Sequence, residues 1–205
     1  MKKILNVCLV TIFVLFLFSC GKEKKAVENL KTTQTYSVDA QNSSVLWTAY
    51  KTTDKLPVKG TFNEINITTS NEGTTSVEAL EGLTFEIPVS SIYTKDTIRD
   101  HKLNKFFFAI MDNTLSLKGV FSVQSESNGN LALTMNGMTK DLPFTYETLK
   151  DTIMIDTKMD LNLWGAQNAV ESLHQACLEL HTGPDGVSKT WDEVNISAKI
   201  VTQFK

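Results

Sequence analysis

Residues 115–146 read LSLKGVFSVQSESNGNLALTMNGMTKDLPFTY, and the spacing of their apolar side chains decides the fold. Leu115, Leu117, Gly119, Phe121 and Val123 share one phase, Leu131, Leu133 and Met135 a second, and Leu142, Phe144 and Tyr146 a third. A period of two marks a strand with one buried face, because successive side chains point to opposite sides of a pleated backbone. Asn128-Gly129-Asn130 and Asn136-Gly137 separate the rows with residues that accept the left-handed backbone of tight hairpins. The centre of the chain is therefore predicted to be three antiparallel strands in hairpin order.

The same alternation extends in both directions. Upstream, Val45, Trp47 and Ala49 form one inward row and Val58, Gly60 and Phe62 the next. Ile65 and Ile67 fall on the opposite phase, which predicts a bulge near Asn63-Glu64. Leu83, Phe85 and Ile87 follow and end at Pro88. Downstream, the rows are Ile153, Ile155, Met159, Leu161 and Leu163, then Val194, Ile196, Ala198 and Ile200. Two segments break the pattern. Thr94 to Phe107 reads as a short helix with Asp96, Arg99, Asp100 and Lys102 on its polar side. Residues 168–181 read as an amphipathic helix with Val170, Leu173, Cys177 and Leu180 on one side.

The predicted class is all-β with short helices: about eight antiparallel strands closing into an extended barrel, with a two-sheet sandwich as the alternative. Gly60 and Gly119, each in mid-strand, favour the tight bends of a barrel. At this strand number the interior either fills with side chains or holds one small ligand, and alternation is the same in both cases.

The first residues carry a different signal. Lys2 and Lys3 precede an apolar run from Ile4 to Phe18, and Ser19-Cys20 is followed by the charged stretch Gly21-Lys-Glu-Lys-Lys25. A positive start, a short apolar core and a small residue before the cut make an export signal over 1–19. The run is shorter than the ~20 residues that span a bilayer. Cys20 selects the lipoprotein form, its thiol and amine taking the acyl chains that anchor the mature protein. Residues 20–35 are then the lipidated cysteine and a polar linker, and 36–205 are one domain, long enough to bury a core. Gly21 is not an inner-membrane retention signal, so the expected location is the cell envelope, at an outer membrane and facing the periplasm or the cell surface.

Loss of Lys2 and Lys3 takes the formal charge from −3 to −5, which excludes an electrostatic footprint for nucleic acid. Cys8 leaves with the signal and Cys20 is acylated. Cys177 alone remains, and no intrachain disulfide is expected.

Several short patterns, in this order, resemble the YceI-like family. Tyr36-Ser-Val-Asp39 with Ser44-Val-Leu-Trp47 resembles its opening strands and Val58-Lys-Gly60-x-Phe62 its second hairpin. Ser91-Ile92, Arg99-Asp100-His-Lys-Leu103 and Phe106-Phe107 resemble its helical stretch. Gly137-Met-Thr-Lys140, Trp164-Gly165 and Glu193-Val194-x-Ile196 resemble a turn, an aromatic-Gly pair and the closing strand. The usual Phe-Pro-x-Ile-x-Phe is absent, and Met111-Asp-Asn-Thr-Leu115 stands in its place.

The resemblance implies a lipocalin-like barrel with an apolar tunnel that holds an isoprenoid lipid or quinone, no required cofactor, and a homodimer as one assembly open to it. The expected lining is Trp47, Phe62, Phe85, Phe121, Phe144, Ile155, Leu161 and Ile196. The competing expectation is a filled barrel serving as an anchored structural or adaptor protein.

Polar candidates are few. Arg99 and Lys140 could meet a lipid headgroup; the alternatives are an ion pair on the helix surface and a solvated turn lysine. His174, Cys177 and His181 fall on one face of a continuous helix, where imidazole and thiolate would suit zinc or copper. Cys177 also belongs to the apolar stripe, where a free cysteine packs as a small hydrophobe. No nucleophile-base motif and no glycine-rich phosphate loop occurs, so a binding protein rather than an enzyme is expected.

Overall fold

The structure, a computed structural model, describes residues 34–205. The export signal over 1–19, Cys20 and the linker as far as residue 33 lie outside the described residues. The strands are β1 (Tyr36–Lys51), β2 (Leu56–Phe62), β3 (Asn66–Thr69), β4 (Thr84–Pro88), β5 (Ile92–Tyr93), β6 (Ser116–Val123), β7 (Asn128–Met135), β8 (Met138–Leu149), β9 (Thr152–Asp160) and β10 (Thr190–Phe204). They form one antiparallel sheet in the order β3-β4-β6-β7-β8-β9-β10-β1-β2-β5.

Each edge strand of that order continues, along the chain, the strand next to the opposite edge. β2 runs into β3, and β4 runs into β5 through a short turn at Val89–Ser91. β2 pairs with β5 (Phe62↔Ile92) while β3 pairs with β4 (Ile67↔Phe85), so the two double-length strands share one interrupted antiparallel ladder. The Asn63 N–H donates to the Ser91 carbonyl at 2.9 Å inside the interruption, where the sequence predicted a bulge. Counted as continuous strands the sheet is the expected eight-membered barrel, and curling onto itself removes exposed edges.

The wall is not uniform. β1 pairs with β2 only from Leu46↔Thr61 to Lys51↔Leu56, and an isolated bridge, Tyr36↔Gly73, ties the start of β1 to the chain beyond β3. Between these ties β1 makes its ladder with β10 alone, and there it shifts register between Asp39 and Ser44.

Helix α1 (Ser76–Leu80) closes one end of the barrel, with Ala79, Leu80 and Leu83 almost fully buried. The Thr202 and Ser76 hydroxyls hydrogen-bond at 2.9 Å there. Helices α2 (Thr97–Phe106) and α3 (Gln167–Ala176) pack against each other at the opposite end, near Lys51 and Thr190. α2 is capped by Asp96, whose Oδ1 accepts from the Ile98 and Arg99 N–H groups at 3.0 and 3.1 Å. Asp100 of the Arg-Asp-x-x-Leu stretch ties the helix to β5: its Oδ1 accepts from the Thr94 N–H at 2.9 Å and from the Thr94 hydroxyl at 2.6 Å.

Four expectations need correction. The turn expected at Asn128-Gly129-Asn130 falls instead at residues 124–127, and those three residues open β7, paired as Ser122↔Asn130 and Val123↔Gly129. Leu115 is highly exposed and precedes β6, so it is not part of the inward row. The strand predicted through Leu163 ends at Asp160, and Leu161–Trp164 is a 3-10 turn with Leu163 facing solvent. Trp164 imposes that turn: fully buried, it donates from Nε1 to the Leu133 carbonyl at 3.0 Å. The helix predicted to reach His181 stops at Ala176, and Glu179–His181 forms a separate 3-10 turn.

Candidate functional site

The inward rows do not meet across the barrel. They enclose a cavity of about 630 Å³, within the usual range for small-molecule sites. All eight residues named from the sequence line it: Trp47, Phe62, Phe85, Phe121, Phe144, Ile155, Leu161 and Ile196. Six of them are buried, while Phe62 and Ile196 are half-buried.

The lining is built from small–large complementarity. Gly60 lacks a side chain where the Trp47 ring lies, since an added Cβ would sit 2.2 Å from its Cζ2. Gly119 makes the same room for Phe85, an added Cβ lying 2.5 Å from its Cζ. The mid-strand glycines read from the sequence as bends therefore seat aromatic rings. Phe85, Phe121 and Phe144 come from adjoining parts of the sheet and follow one another at ring-centroid separations of 5.6 and 5.7 Å. Such contacts, the first tilted and the second edge-on, add about 0.5–1.5 kcal/mol each beyond area burial. The inner face of α3 completes the wall, with Val170, Leu173 and Cys177 on the helix and its C-cap and Leu180 on the following turn.

The polar residues lie at the α2–α3 end. Arg99 lines the cavity, but Asp96 Oδ2 holds its guanidinium at 3.4 Å. Lys140 is exposed in β8 and does not line the cavity, so the headgroup contact expected of it has no geometric basis. Sequence reading passed over Lys51, the last of the inward row Trp47-Ala49-Lys51, and its ladder partner Thr190. It also passed over the role of Lys102. The register signal for Lys51 was present, but a lysine at a strand end reads as solvated.

The histidines do not assemble as a metal site. Helix α3 ends before His181, so the three-and-seven offset no longer places the trio on one face. His174 and His181 instead share the Thr190 hydroxyl, their Nδ1 atoms lying 3.1 and 2.6 Å from Oγ1. A hydroxyl carries one proton, so it donates to one imidazole and accepts from the other. Among the described residues no group of three or more His, Cys, Asp and Glu side chains could hold a metal ion. Burial pushes the His181 pKa down to about 4, helped by the positive fields of Lys51, His174 and Lys102. Burial pushes the Cys177 thiol up, partly offset by Lys102 and Lys51. The site is thus an apolar chamber with one neutral-imidazole, lysine-bearing end.

Known proteins share this fold. The model of the YceI-like domain matches residues 36–202. A polyisoprenoid binding domain from Saccharophagus degradans, implicated in plant cell wall breakdown, superimposes with a TM-score of 0.58 at 13% identity, over 83% of this chain and 98% of its own. BcnA from Burkholderia cenocepacia superimposes with a TM-score of 0.51 at 17% identity, over 82% of this chain and 99% of its own. No curated protein matches the chain.

Proposed function

The chain belongs to the YceI-like family, and from that premise we propose that it binds or carries an isoprenoid-type lipid, such as a prenyl or quinone tail, in its barrel. The observation that carries the reading is the hollow interior lined by all eight apolar side chains. A prenyl chain needs dry walls and no reacting group. Each buried methylene contributes about 0.8 kcal/mol, so one five-carbon unit contributes roughly 4 kcal/mol before ordering costs. With about 30 Å³ for a water-sized group, the chamber takes on the order of 20 such groups, or about four isoprene units. Longer tails would extend beyond it. The polyisoprenoid binding described for the Saccharophagus domain supports the same class of ligand here. The protein acts as a binding module rather than an enzyme.

The proposal includes the anchor. Residues 1–19 direct export, Cys20 is acylated, and the barrel stands at an outer membrane, facing the periplasm or the cell surface, on the linker of residues 20–35. Among the described residues no helix is long and apolar enough to cross a membrane.

The test is organic extraction of protein purified from its native envelope, followed by mass spectrometry. An isoprenoid lipid at near-stoichiometric yield is expected. Repeated preparations with no lipid, together with co-purification of a protein partner, would replace this reading with that of an anchored adaptor. For the anchor, Cys20→Ser is expected to move the protein from the membrane to the soluble fraction; unchanged fractionation would remove the lipoprotein assignment.

A further inference from the structure

Of the large apolar side chains exposed to solvent among the described residues, only Ile98 and Leu180 also line the chamber. They are 71% and 59% exposed, so the chamber meets solvent between them. Leu178 and Val187 are exposed beside Leu180, and the Ser188 hydroxyl, next to Val187, donates to the Leu178 carbonyl at 2.9 Å. Singly such exposure is ordinary, but gathered around an opening it marks a surface that another body covers.

The rim is held in place. Ile98 stands in the first turn of α2, which Asp96 caps. One turn on, Lys102 Nζ donates to the Ala176 carbonyl at the end of α3, and Lys51 Nζ donates to the Leu180 carbonyl, both at 2.9 Å. These bonds tie α2 to α3, and the turn after α3 to the end of β1. A rim already fixed loses little freedom when it is covered.

What covers it follows from the ligand and the tether. A prenyl tail leaving the chamber into water loses the burial that holds it, so the opening must meet an apolar medium. Charge gives little preference, since exposed Lys59 and Lys95 at this end are offset by exposed Glu179 and Asp185 beside Leu180. β1 begins at Tyr36, which the bridge to Gly73 places at the α1 end, so the opening lies at the far end of the barrel from the linker. The 15 residues of β10 span about 50 Å, and strand tilt of about 35–45° brings the barrel height to roughly 40 Å. Residues 20–35, fully extended, reach roughly 50 Å. A chain acylated at Cys20 therefore has tether enough to turn its opening onto the membrane that holds it.

We propose that the α2–α3 end docks on a lipid bilayer, with Ile98, Leu178, Leu180 and Val187 entering the interface, so that an isoprenoid passes between bilayer and barrel without crossing water. The inference rests on the isoprenoid-binding reading and adds the surface through which the ligand is exchanged. Burial of apolar side chains, rather than charge, carries the contact.

The experiment measures flotation of the mature chain carrying Cys20→Ser, which has no acyl anchor, with vesicles of phosphatidylcholine alone and of phosphatidylcholine mixed with phosphatidylglycerol. Binding to both is expected, with an advantage of less than about threefold for the anionic vesicles that salt removes. Ile98→Ser and Leu180→Ser are each expected to weaken partitioning roughly tenfold, the order set by one buried Ile or Leu, and the double variant roughly a hundredfold. Ile98→Leu with Leu180→Ile keeps the apolar area and is expected to retain binding. Leu149→Ser, at the α1 end and also 71% exposed, is expected to change nothing. Absence of binding to either vesicle, a loss from Leu149→Ser as large as that from Ile98→Ser, or binding confined to anionic vesicles and removed by salt overturns the docking surface. A dimer in sedimentation that the double Ser variant dissociates, without vesicle binding, also overturns it and assigns the rim to a second copy of the chain. Vesicle binding needs no bound isoprenoid, so each of these failures leaves the isoprenoid reading standing, and that reading falls only with the extraction experiment.

Discussion

Replacing Gly60 by Ala tests whether the Trp47 ring forms part of a thin wall around a hollow. The added Cβ would sit 2.2 Å from Cζ2 and 2.6 Å from Cε2 of Trp47, and 2.9 Å from Cγ2 of Thr94. Carbon atoms rest at about 3.5–4.0 Å, so the indole must retreat by more than about 1 Å. Opposed by the strand that bears Gly60, it moves towards the chamber. Overpacking of this kind costs about 1–3 kcal/mol, which in a domain of this size lowers Tm by roughly 2–12 °C. Lipid retained through purification is expected to fall with it. The atoms that collide belong to the six-membered ring of the indole, which Phe lacks in that position. Trp47→Phe also removes a buried Nε1–H that has no hydrogen-bond partner. The double variant is therefore expected to recover most of the lost stability, with a coupling energy of about 1 kcal/mol or more in a double-mutant cycle. The assay is thermal and urea unfolding of the four proteins, with lipid quantified by extraction. An unchanged midpoint for Gly60→Ala, or strictly additive single effects, would refute the steric account of the wall.

The hollow itself can be tested on β9. Ile153 is fully buried away from the chamber and Ile155 lines it. Ile153→Ala is expected to cost about 2–5 kcal/mol and Ile155→Ala less, because the latter already lacks protein contacts on its lumen side; equal losses in urea unfolding would mean a filled barrel. Asp100→Ala leaves the Thr94 N–H without its acceptor, while the hydroxyl keeps the Asp96 carbonyl at 3.2 Å, and is expected to destabilise by about 1–3 kcal/mol, measured by thermal unfolding. His181, with a pKa of about 4 when folded against an ordinary 6.5, binds its proton more readily unfolded, so stability declines as pH falls from about 6.5 to 4. The wild type is expected to lose on the order of 1 kcal/mol more than His181→Gln across that window, after discounting for partial solvent screening; parallel pH profiles would contradict this. Zinc or copper is expected to leave Tm unchanged, and a stoichiometric rise abolished by His174→Ala would restore the metal-site alternative.

The sequence by itself determined antiparallel strands with one buried face, because a period of two is written directly into the chain; closure into a barrel rather than a sandwich was decided by the pairing of β2 with β5 and of β3 with β4. It also determined most of the inward rows, Leu115 and Leu163 excepted, and the Asn136-Gly137 hairpin, whose two residues adopt the left-handed backbone their chemistry permits, at φ values of 52° and 67°. Only the tertiary structure decided whether that interior is filled. Alternation sets direction, whereas a cavity depends on barrel girth and on how far opposing side chains reach. It likewise decided the fate of the polar residues. The turn that Trp164 pins beneath β7 cuts short the row of residues 153–163, and the end of α3 at Ala176 turns His181 towards Thr190 instead of towards a shared ligand face. Lys140 and Lys51 look equally solvated as letters. Both share the phase of an inward row, Lys140 with Leu142 and Phe144 and Lys51 with Trp47 and Ala49, so strand register does not separate them; Lys140 is exposed near the Asn136-Gly137 hairpin while Lys51 lines the chamber, a difference of position that only the closed barrel supplies.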